Sequence, residues 1–202
     1  MHDTTILVPP SRAATRAVAI AMLVWLAIVA TIVMLGVLSI ERRMLVPVAI
    51  LGTTFAFIAI HRRGGALSAV ARAIDVRIPI LFHGLRALVG AGFLVLASRG
   101  QLDPVFARIA GWGDIAVGTS AFLVALGGAR PGSVWTRVRS AWNLFGLLDI
   151  LVVVATAQYI LFVSGHPQTM AGLIGLPWAL VPLVLVPLVI ATHLLLVGRL
   201  RA

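Results

Sequence analysis

The chain has 202 residues, of which 61% are hydrophobic and 11% charged, and its mean hydropathy of +1.10 excludes an ordinary soluble domain. All 16 basic residues are arginine and cysteine is absent, which excludes disulfides, thiolate-bound metals, iron–sulfur clusters and lysine Schiff bases. The net charge of +10 does not indicate a nucleic-acid partner, because the arginines lie between apolar runs, where they set membrane topology.

Apolar runs long enough to cross a bilayer recur along the whole chain. A transmembrane helix needs about 20 mostly apolar residues. The predicted spans are Ala17 to Ile40, Met44 to Ile60, Ile78 to Ser98, Ile109 to Gly127, Trp142 to Val163, and Trp178 to Gly198. The first exceeds a signal-peptide core and lacks a small-residue cleavage site before Glu41, so we expect a retained helix. The sequence predicts an all-α, six-transmembrane-helix bundle that forms one integral membrane domain over residues 1–202.

The connection at residues 66–77 has an amphipathic pattern. Leu67, Val70 and Ile74 fall on one helical face, while Ser68 falls elsewhere. The pattern predicts a helix lying on the cytoplasmic membrane surface, with a solvated linker as the alternative.

The arginines in the connections predict orientation, because basic residues are retained on the cytoplasmic side. One side carries eleven of them: Arg12, Arg16, Arg62, Arg63, Arg72, Arg77, Arg130, Arg137, Arg139, Arg199 and Arg201. The other side carries four: Arg42, Arg43, Arg99 and Arg108. We therefore expect both termini in the cytoplasm and a multi-pass location in the cell inner membrane. Tryptophans near proposed span ends support the boundaries: Trp112, Trp135, Trp142 and Trp178.

Arg86 and Asp149 are charged residues inside predicted spans. An unpaired charge at the centre of a membrane helix costs about 2.5 to 3.5 kcal/mol on insertion scales, so each marks a candidate site. At 1.5 Å per residue, Arg86 and Asp149 lie ~12 and ~11 Å from the inner boundary, and His83 and His193 lie ~8 Å from it. The sequence thus predicts one polar layer formed by the third, fifth and sixth spans.

Helical spacing places further residues on the same helix faces as these charges. His83, Arg86 and Gly90 share one face of the third span, and Asn143, Gly146 and Asp149 share one face of the fifth. Glycine on such a face favours close contact with a neighbouring helix.

Three interpretations of the charged pair remain open. Arg86 and Asp149 could form a buried ion pair without chemistry. The guanidinium could instead bind an anionic ligand or lipid headgroup entering from the cytoplasmic side. A carboxylate close to a histidine could also couple to protons.

The two membrane histidines raise a metal interpretation. His83 and His193 could ligate one haem from opposite faces with Arg86 near a propionate, or join Asp149 around non-haem iron. Hydrogen-bonded interior histidines are the simpler interpretation. We therefore expect no metal and no cofactor, and both rings in the protein interior.

A second polar group lies toward the predicted outer face. Asp103 before Pro104 is typical of a helix start, where the carboxylate caps the following amides. Asp114 lies deeper, and its glycine neighbours would let a backbone or ligand approach it. The simplest expectation is that Asp114 pairs with Arg99 or Arg108.

Four stretches of the chain carry a resemblance: the glycine region of the third span, which ends in an arginine or glycine, Gly111-Trp112-Gly113-Asp114-Ile115, Trp142-Asn143-Leu144-Phe145-Gly146-Leu147-Leu148-Asp149, and Val186-Pro187-Leu188 followed by His193. They resemble an uncharacterised family of bacterial multi-pass membrane proteins that has no assigned activity. The resemblance covers roughly residues 78–200. It implies that Asp114, Asn143, Asp149 and His193 belong to one recurrent architecture.

The candidate binding residues are Arg86, Asp149, His83, His193, Asn143 and Asp114. We expect a non-enzymatic protein that binds or passes a small solute, a proton or a lipid headgroup. The alternatives are a haem- or metal-dependent membrane redox enzyme using His83, His193 and Asp149, and a purely structural or assembly protein. The expected partners are the lipid bilayer, one of those small ligands and, as an open option, a second copy of the chain.

Overall fold

A computed structural model describes residues 11–127 and 134–201, and within them it contains helices and no strands. The α-helices are α1 (Arg12–Met34), α2 (Leu45–Arg62), α3 (Gly65–Ala73), α4 (Arg77–Phe82), α5 (Leu85–Ser98), α6 (Pro104–Leu126), α7 (Val134–Phe162) and α8 (Val186–Arg201). A 3₁₀ helix, Pro167–Leu173, and a π-helical turn, Val181–Leu185, precede α8.

Six helical segments of the described residues are long and apolar enough to cross a membrane. They are α1, α2, α4 with α5, α6, α7, and the π-helical turn with α8. This confirms the predicted all-α, six-span class and gives the chain the architecture of a multi-pass membrane protein.

The bundle has two ends, each held together by contacts between connections. At one end, Oγ1 of Thr169 donates to Oδ2 of Asp103 at 3.1 Å, and the guanidinium of Arg43 lies 5.4 Å from the centre of the Phe162 ring. At the other end, Nη2 of Arg139 donates to the carbonyl of Gly127 at 2.6 Å. We call the first the distal end and the second, where α1 begins and α8 finishes, the terminal end.

Helix starts differ from the predicted boundaries because caps decide them. The Ser11 side chain accepts from the amide of Ala14, so α1 begins at Arg12, before the predicted Ala17. Asp103 accepts from the amides of Val105 and Phe106 at 2.9 and 3.1 Å, as the Asp–Pro pair predicts, and α6 therefore begins five residues before Ile109. The first residue of an apolar run therefore does not give the first residue of these two helices.

The fifth span differs most from its prediction. Helix α7 begins at Val134, eight residues before Trp142, so Trp142 lies inside the helix and is buried rather than placed at an interface. Arg137 and Arg139 belong to this helix instead of a connection, and Arg139 is buried. Arg130, counted above for topology, lies outside the described residues.

The amphipathic connection forms a shorter helix than predicted. Helix α3 ends at Ala73 and packs against α1 and α2. Ser68, which the pattern places off the apolar face, is fully buried. Nη2 of Arg199 donates to the Ile74 carbonyl at 2.8 Å, which ties the end of this helix to α8.

The core lies among α5, α6, α7 and α8, while α1 is peripheral. Among the 18 most apolar consecutive residues of each helix, 6% are buried in α1 and 44% in α6. Helix α5 follows a turn at His83 and Gly84, where an added Cβ on Gly84 would meet the Phe122 ring at 2.7 Å. This turn sets Arg86 and His83 on the inner side of the bundle.

Candidate functional site

Arg86 is the centre of a charged cluster between α5, α6 and α7. Its Nε donates to Oδ1 of Asp114 at 2.6 Å, and its Nη2 donates to Oδ2 of Asp149. Its Nη1 donates to the carbonyl of Gly146 at 3.2 Å. The side chain of Arg86 is 1% exposed, and those of Asp114 and Asp149 are 6% and 12% exposed.

The pairing of Asp114 corrects the prediction made from sequence. We expected Arg99 or Arg108 as its partner, yet Asp114 binds Arg86, which already binds Asp149. The fourth span therefore joins the third, fifth and sixth in forming the polar centre. The reason is depth: with α6 starting at Pro104, Asp114 lies ~15 Å along the helix, near the middle of a bilayer.

Glycines make room for this cluster. A Cβ added to Gly113 would collide with the Asp149 carboxylate, so the carboxylate occupies the space that any other residue would fill. A Cβ added to Gly90 would collide with the Gly111 carbonyl and lie 2.9 Å from Cβ of Asp114. Gly113 thus receives a side chain from α7, and Gly90 brings α5 close to α6.

A histidine layer lies beside the cluster. Nδ2 of Asn143 donates to the backbone carbonyl of His193 at 3.1 Å, which orients the amide so that its Oδ1 accepts from Nδ1 of His193 at 2.8 Å. The proton of this imidazole is therefore on Nδ1, and Nε2 keeps its lone pair. Nε2 is buried and has no hydrogen-bond partner among the described residues.

His83 is held in the same manner by Thr192. The Thr192 hydroxyl lies 2.8 Å from the carbonyl of Leu188, to which it donates, so it accepts from Nε2 of His83 at 3.2 Å. Nδ1 of His83 then carries a lone pair, and it too is buried without a partner in the described part of the chain. Both imidazoles are fully buried, as the depth estimate predicts.

The two rings face one another beneath an indole. The centroids of His83 and His193 are 4.1 Å apart, and that of Trp142 is 5.4 Å from His83 and 5.9 Å from His193. Nε1 of Trp142 donates to Oγ of Ser120 at 3.0 Å. The indole therefore packs against both imidazoles on one side of the layer.

Gly146 joins the histidine layer to the charged cluster. Its carbonyl accepts from Arg86, and a Cβ at this position would lie 2.6 Å from Cε1 and 2.9 Å from Nε2 of His193. One residue of α7 thus contacts both groups on opposite sides. The cluster and the layer form a continuous polar core across the middle of the protein.

The geometry does not match a haem held between two histidines. Metal–nitrogen bonds of about 2.0 Å on either side of an iron would hold the coordinating nitrogens about 4 Å apart and the ring centres farther apart still. The centroids of His83 and His193 are already at 4.1 Å, which leaves no space for a macrocycle between them. Asp149 is engaged by Arg86, and no group of three or more His, Asp or Glu suited to a metal occurs in residues 11–127 and 134–201.

A cavity reaches the cluster from the distal end. It provides about 90 Å³ for the centres of water-sized molecules, and its walls are mainly apolar, including Phe93, Ile150 and Val186. Asp114 lies in its lining, as does Arg43. Since one water needs about 10 to 15 Å³ by this measure, the space is large enough for several.

Sequence reasoning identified the charged and imidazole groups and Asn143, but it missed the contacts that Thr192, Trp142 and Gly113 make with them. Thr192 immediately precedes His193 and could have been found from its polarity inside an apolar span. Trp142 was assigned to an interface because the helix start was placed too late. Gly113 was noted as a glycine next to Asp114, but its actual neighbour is Asp149.

The fold and this core define a six-span membrane protein with a buried arginine–dicarboxylate cluster beside paired histidines. A family model described as a domain of unknown function, DUF8737, matches residues 43–201. The chain therefore belongs to that family, in agreement with the resemblance to an uncharacterised family, and α1 lies outside the match. No curated protein and no solved structure matches the chain.

Proposed function

We propose that this is a non-enzymatic membrane protein that passes a proton or a small solute. Arg86 binds Asp114 and Asp149, and these two carboxylates share one exchangeable proton during the passage. The observation that carries the proposal is the charge of the cluster. One guanidinium binds two carboxylates, so with all three groups ionised the cluster has a charge of −1. A proton on either carboxylate makes it neutral.

Neutralisation matters because the cluster is buried at the depth of the bilayer centre. An uncompensated charge there is costly, whereas a paired and hydrogen-bonded one is tolerated. A metal cation is a poorer neutralising species, since calcium takes six to eight oxygen ligands and magnesium about six. The described residues present two carboxylates here and no third His, Asp or Glu in a metal-binding group.

Polar groups on both sides of the cluster support a route for the proton. Asp114 lines the distal cavity, whose volume would admit water to the carboxylate from that end. On the other side, His193 presents the free Nε2 lone pair next to Gly146, and His83 presents a free Nδ1. A neutral imidazole with an open lone pair supplies a hydrogen-bond acceptor for such a route.

The proposed setting is the inner membrane of a bacterial cell with both termini in the cytoplasm. The arginine asymmetry of the connections supports that orientation. In it, the distal cavity opens toward the outer side and the histidine layer lies toward the cytoplasm.

The direct test is infrared spectroscopy of the purified protein at neutral pH. We expect the carbonyl-stretch band of a protonated carboxylic acid, and we expect it to change in Asp114→Asn and Asp149→Asn. Asp103→Asn is the matched control, because asparagine retains the helix cap and Asp103 lies outside the cluster. A band that survives both cluster substitutions, or no band in the wild-type protein, would contradict the proposal and leave the cluster as a structural ion network.

A second measurement tests passage. Proteoliposomes containing a pH-sensitive dye are given a membrane potential with potassium and valinomycin. Internal pH should change faster with the wild-type protein and with Asp103→Asn than with empty vesicles. Asp114→Asn and Asp149→Asn should return the rate to that of empty vesicles. Equal rates in all samples would reject proton passage while the infrared result still reports on the shared proton.

A further inference from the structure

A groove at the terminal end lies apart from the charged cluster. It is formed by α1, α2, α3 and α8 and has a volume of about 620 Å³. This falls within the range of roughly 300 to 1,000 Å³ that is usual for small-molecule sites. Its walls are mainly apolar, with Phe57, Leu67, Val70 and Leu195 among the lining residues.

Two basic side chains lie next to each other in the lining of this groove. His61 and Arg62, at the end of α2, both line it, and its described lining contains no acidic residue. Arg62 is exposed, and Nδ1 of His61 is buried without a hydrogen-bond partner in the described part of the chain. The Arg62 guanidinium and the neighbouring His61 ring, beside an apolar channel, are complementary to a phosphate linked to an alkyl chain.

The wall opposite α2 is held in place by the chain itself. Nη1 and Nη2 of Arg199 donate to the carbonyls of Ala71 and Ile74 at 3.3 and 2.8 Å, and both of these residues line the groove. The end of α3 is thus fixed to α8. The wall of the groove formed by α3 is therefore held in position by α8.

We infer that this groove binds one membrane phospholipid with an anionic headgroup, its phosphate at His61 and Arg62 and an acyl chain along the apolar walls of α3 and α8. Basic pockets between membrane helices at the cytoplasmic side suit such headgroups. The arginine-rich end of this protein is the end that we expect to face the cytoplasm. The inference does not depend on the shared proton.

The position of the groove also connects it to the polar core. Thr192 lines the groove, and its hydroxyl binds Nε2 of His83. A bound acyl chain therefore lies against the residue that orients one histidine. The lipid would stabilise the arrangement of α8 in which this hydrogen bond is made.

The test uses the full chain in detergent with added phosphatidylglycerol or phosphatidylcholine, and native mass spectrometry counts the lipids retained. We expect one phosphatidylglycerol per chain in preference to phosphatidylcholine. His61→Gln combined with Arg62→Gln should weaken phosphatidylglycerol binding by about tenfold, the scale of one lost charge-assisted contact. Arg63→Gln is the matched control, because it removes the neighbouring exposed arginine that does not line the groove.

A second pair of variants tests the apolar part. Gly198 lines the groove and a Cβ there meets nothing within 4 Å, so Gly198→Leu should fill the space and abolish retention of the lipid. Gly52 is an equally open helical glycine outside the groove, so Gly52→Leu should retain it. Wild-type retention in Gly198→Leu, or equal retention of the two lipids by the wild-type protein, would overturn the inference.

Discussion

Arg86 and Asp149 are bonded across α5 and α7, although 63 positions separate them in the chain. Both lie inside membrane spans. Arg86 supplies a hydrogen-bond donor to the Asp149 carboxylate, which accepts it. The contact lowers the cost of burying these two groups in an apolar environment, since a buried charge is tolerated when it is paired and hydrogen-bonded. Arg86 also pairs with Asp114. Loss of Arg86 should therefore destabilise the protein more than loss of either carboxylate.

The first prediction concerns that inequality. Arg86→Met leaves two buried carboxylates without their partner, and we expect a loss of about 3 to 5 kcal/mol in the free energy of unfolding. Asp149→Asn should cost less, because Arg86 stays paired with Asp114. The measurement is reversible unfolding in mixed detergent micelles.

A double-mutant cycle provides the control for that experiment. The combined Arg86→Met and Asp149→Asn variant should lose less than the sum of the two single losses, because the residues interact. Strictly additive losses would show that the contact contributes nothing. An Asp149→Asn loss as large as that of Arg86→Met would show that Asp114 does not compensate.

The second prediction concerns the glycine that receives the Asp149 carboxylate. Gly113→Ala places a methyl group where that carboxylate lies, so either the side chain or the helix must move. We expect a loss of about 1 to 3 kcal/mol, the usual cost of overpacking. Gly52→Ala, where a Cβ meets nothing within 4 Å, should be neutral or stabilising because alanine favours helix. Equal thermal stability of the two variants would argue against the close approach at Gly113.

Hydropathy and the positions of single charges were sufficient to predict the fold class and most of the polar core. Helical rise placed Arg86, Asp149, His83 and His193 in one layer, and helical spacing placed Asn143 on the face of Asp149. The structure brings these five residues together. This works because a membrane-spanning helix has a fixed direction and rise, so residue number converts directly to depth.

The partner of Asp114 was missed for a definable reason. The cap at Asp103 was recognised, but the span was still started at Ile109, where the apolar run becomes continuous. Starting at Pro104 places Asp114 deeper, level with Arg86. Caps therefore deserve more weight than hydropathy when depth is counted. The contact between Arg139 and the Gly127 carbonyl could not be predicted, because it depends on how two helix ends meet in space.

The third prediction concerns topology, which the helices themselves do not fix. Reporter fusions at Gly100 and Gly172 should report the outer side, and fusions at Gly65 and at Gly132, which lies outside the described residues, should report the cytoplasm. The reason is the excess of arginines, eleven against four, that the sequence places toward the side of the two termini. A cytoplasmic signal at Gly172 would contradict both the orientation and the proposed direction of the distal cavity.

The fourth prediction concerns the accessibility of the histidines. His83 and His193 are fully buried between helices, whereas His166 is exposed in the connection before the 3₁₀ helix. Diethyl pyrocarbonate applied in water should modify His166 readily and leave His83 and His193 unmodified in the folded protein. Peptide mapping by mass spectrometry measures the extent at each site, and modification after unfolding shows that both buried residues can react.

Asn143→Leu tests whether the Asn143 amide holds the His193 ring in its buried position. The substitution removes the acceptor for Nδ1 of His193 and the side-chain donor to its backbone carbonyl, which lies within α8, so Nδ1 is the group left unpaired. We expect a loss of about 1 to 3 kcal/mol for this unsatisfied group and faster modification of His193. Asn143→Asp keeps an acceptor for Nδ1 but loses the donor, so His193 should stay better protected than in Asn143→Leu. Protection of His193 unchanged in both variants would show that the amide does not position the ring.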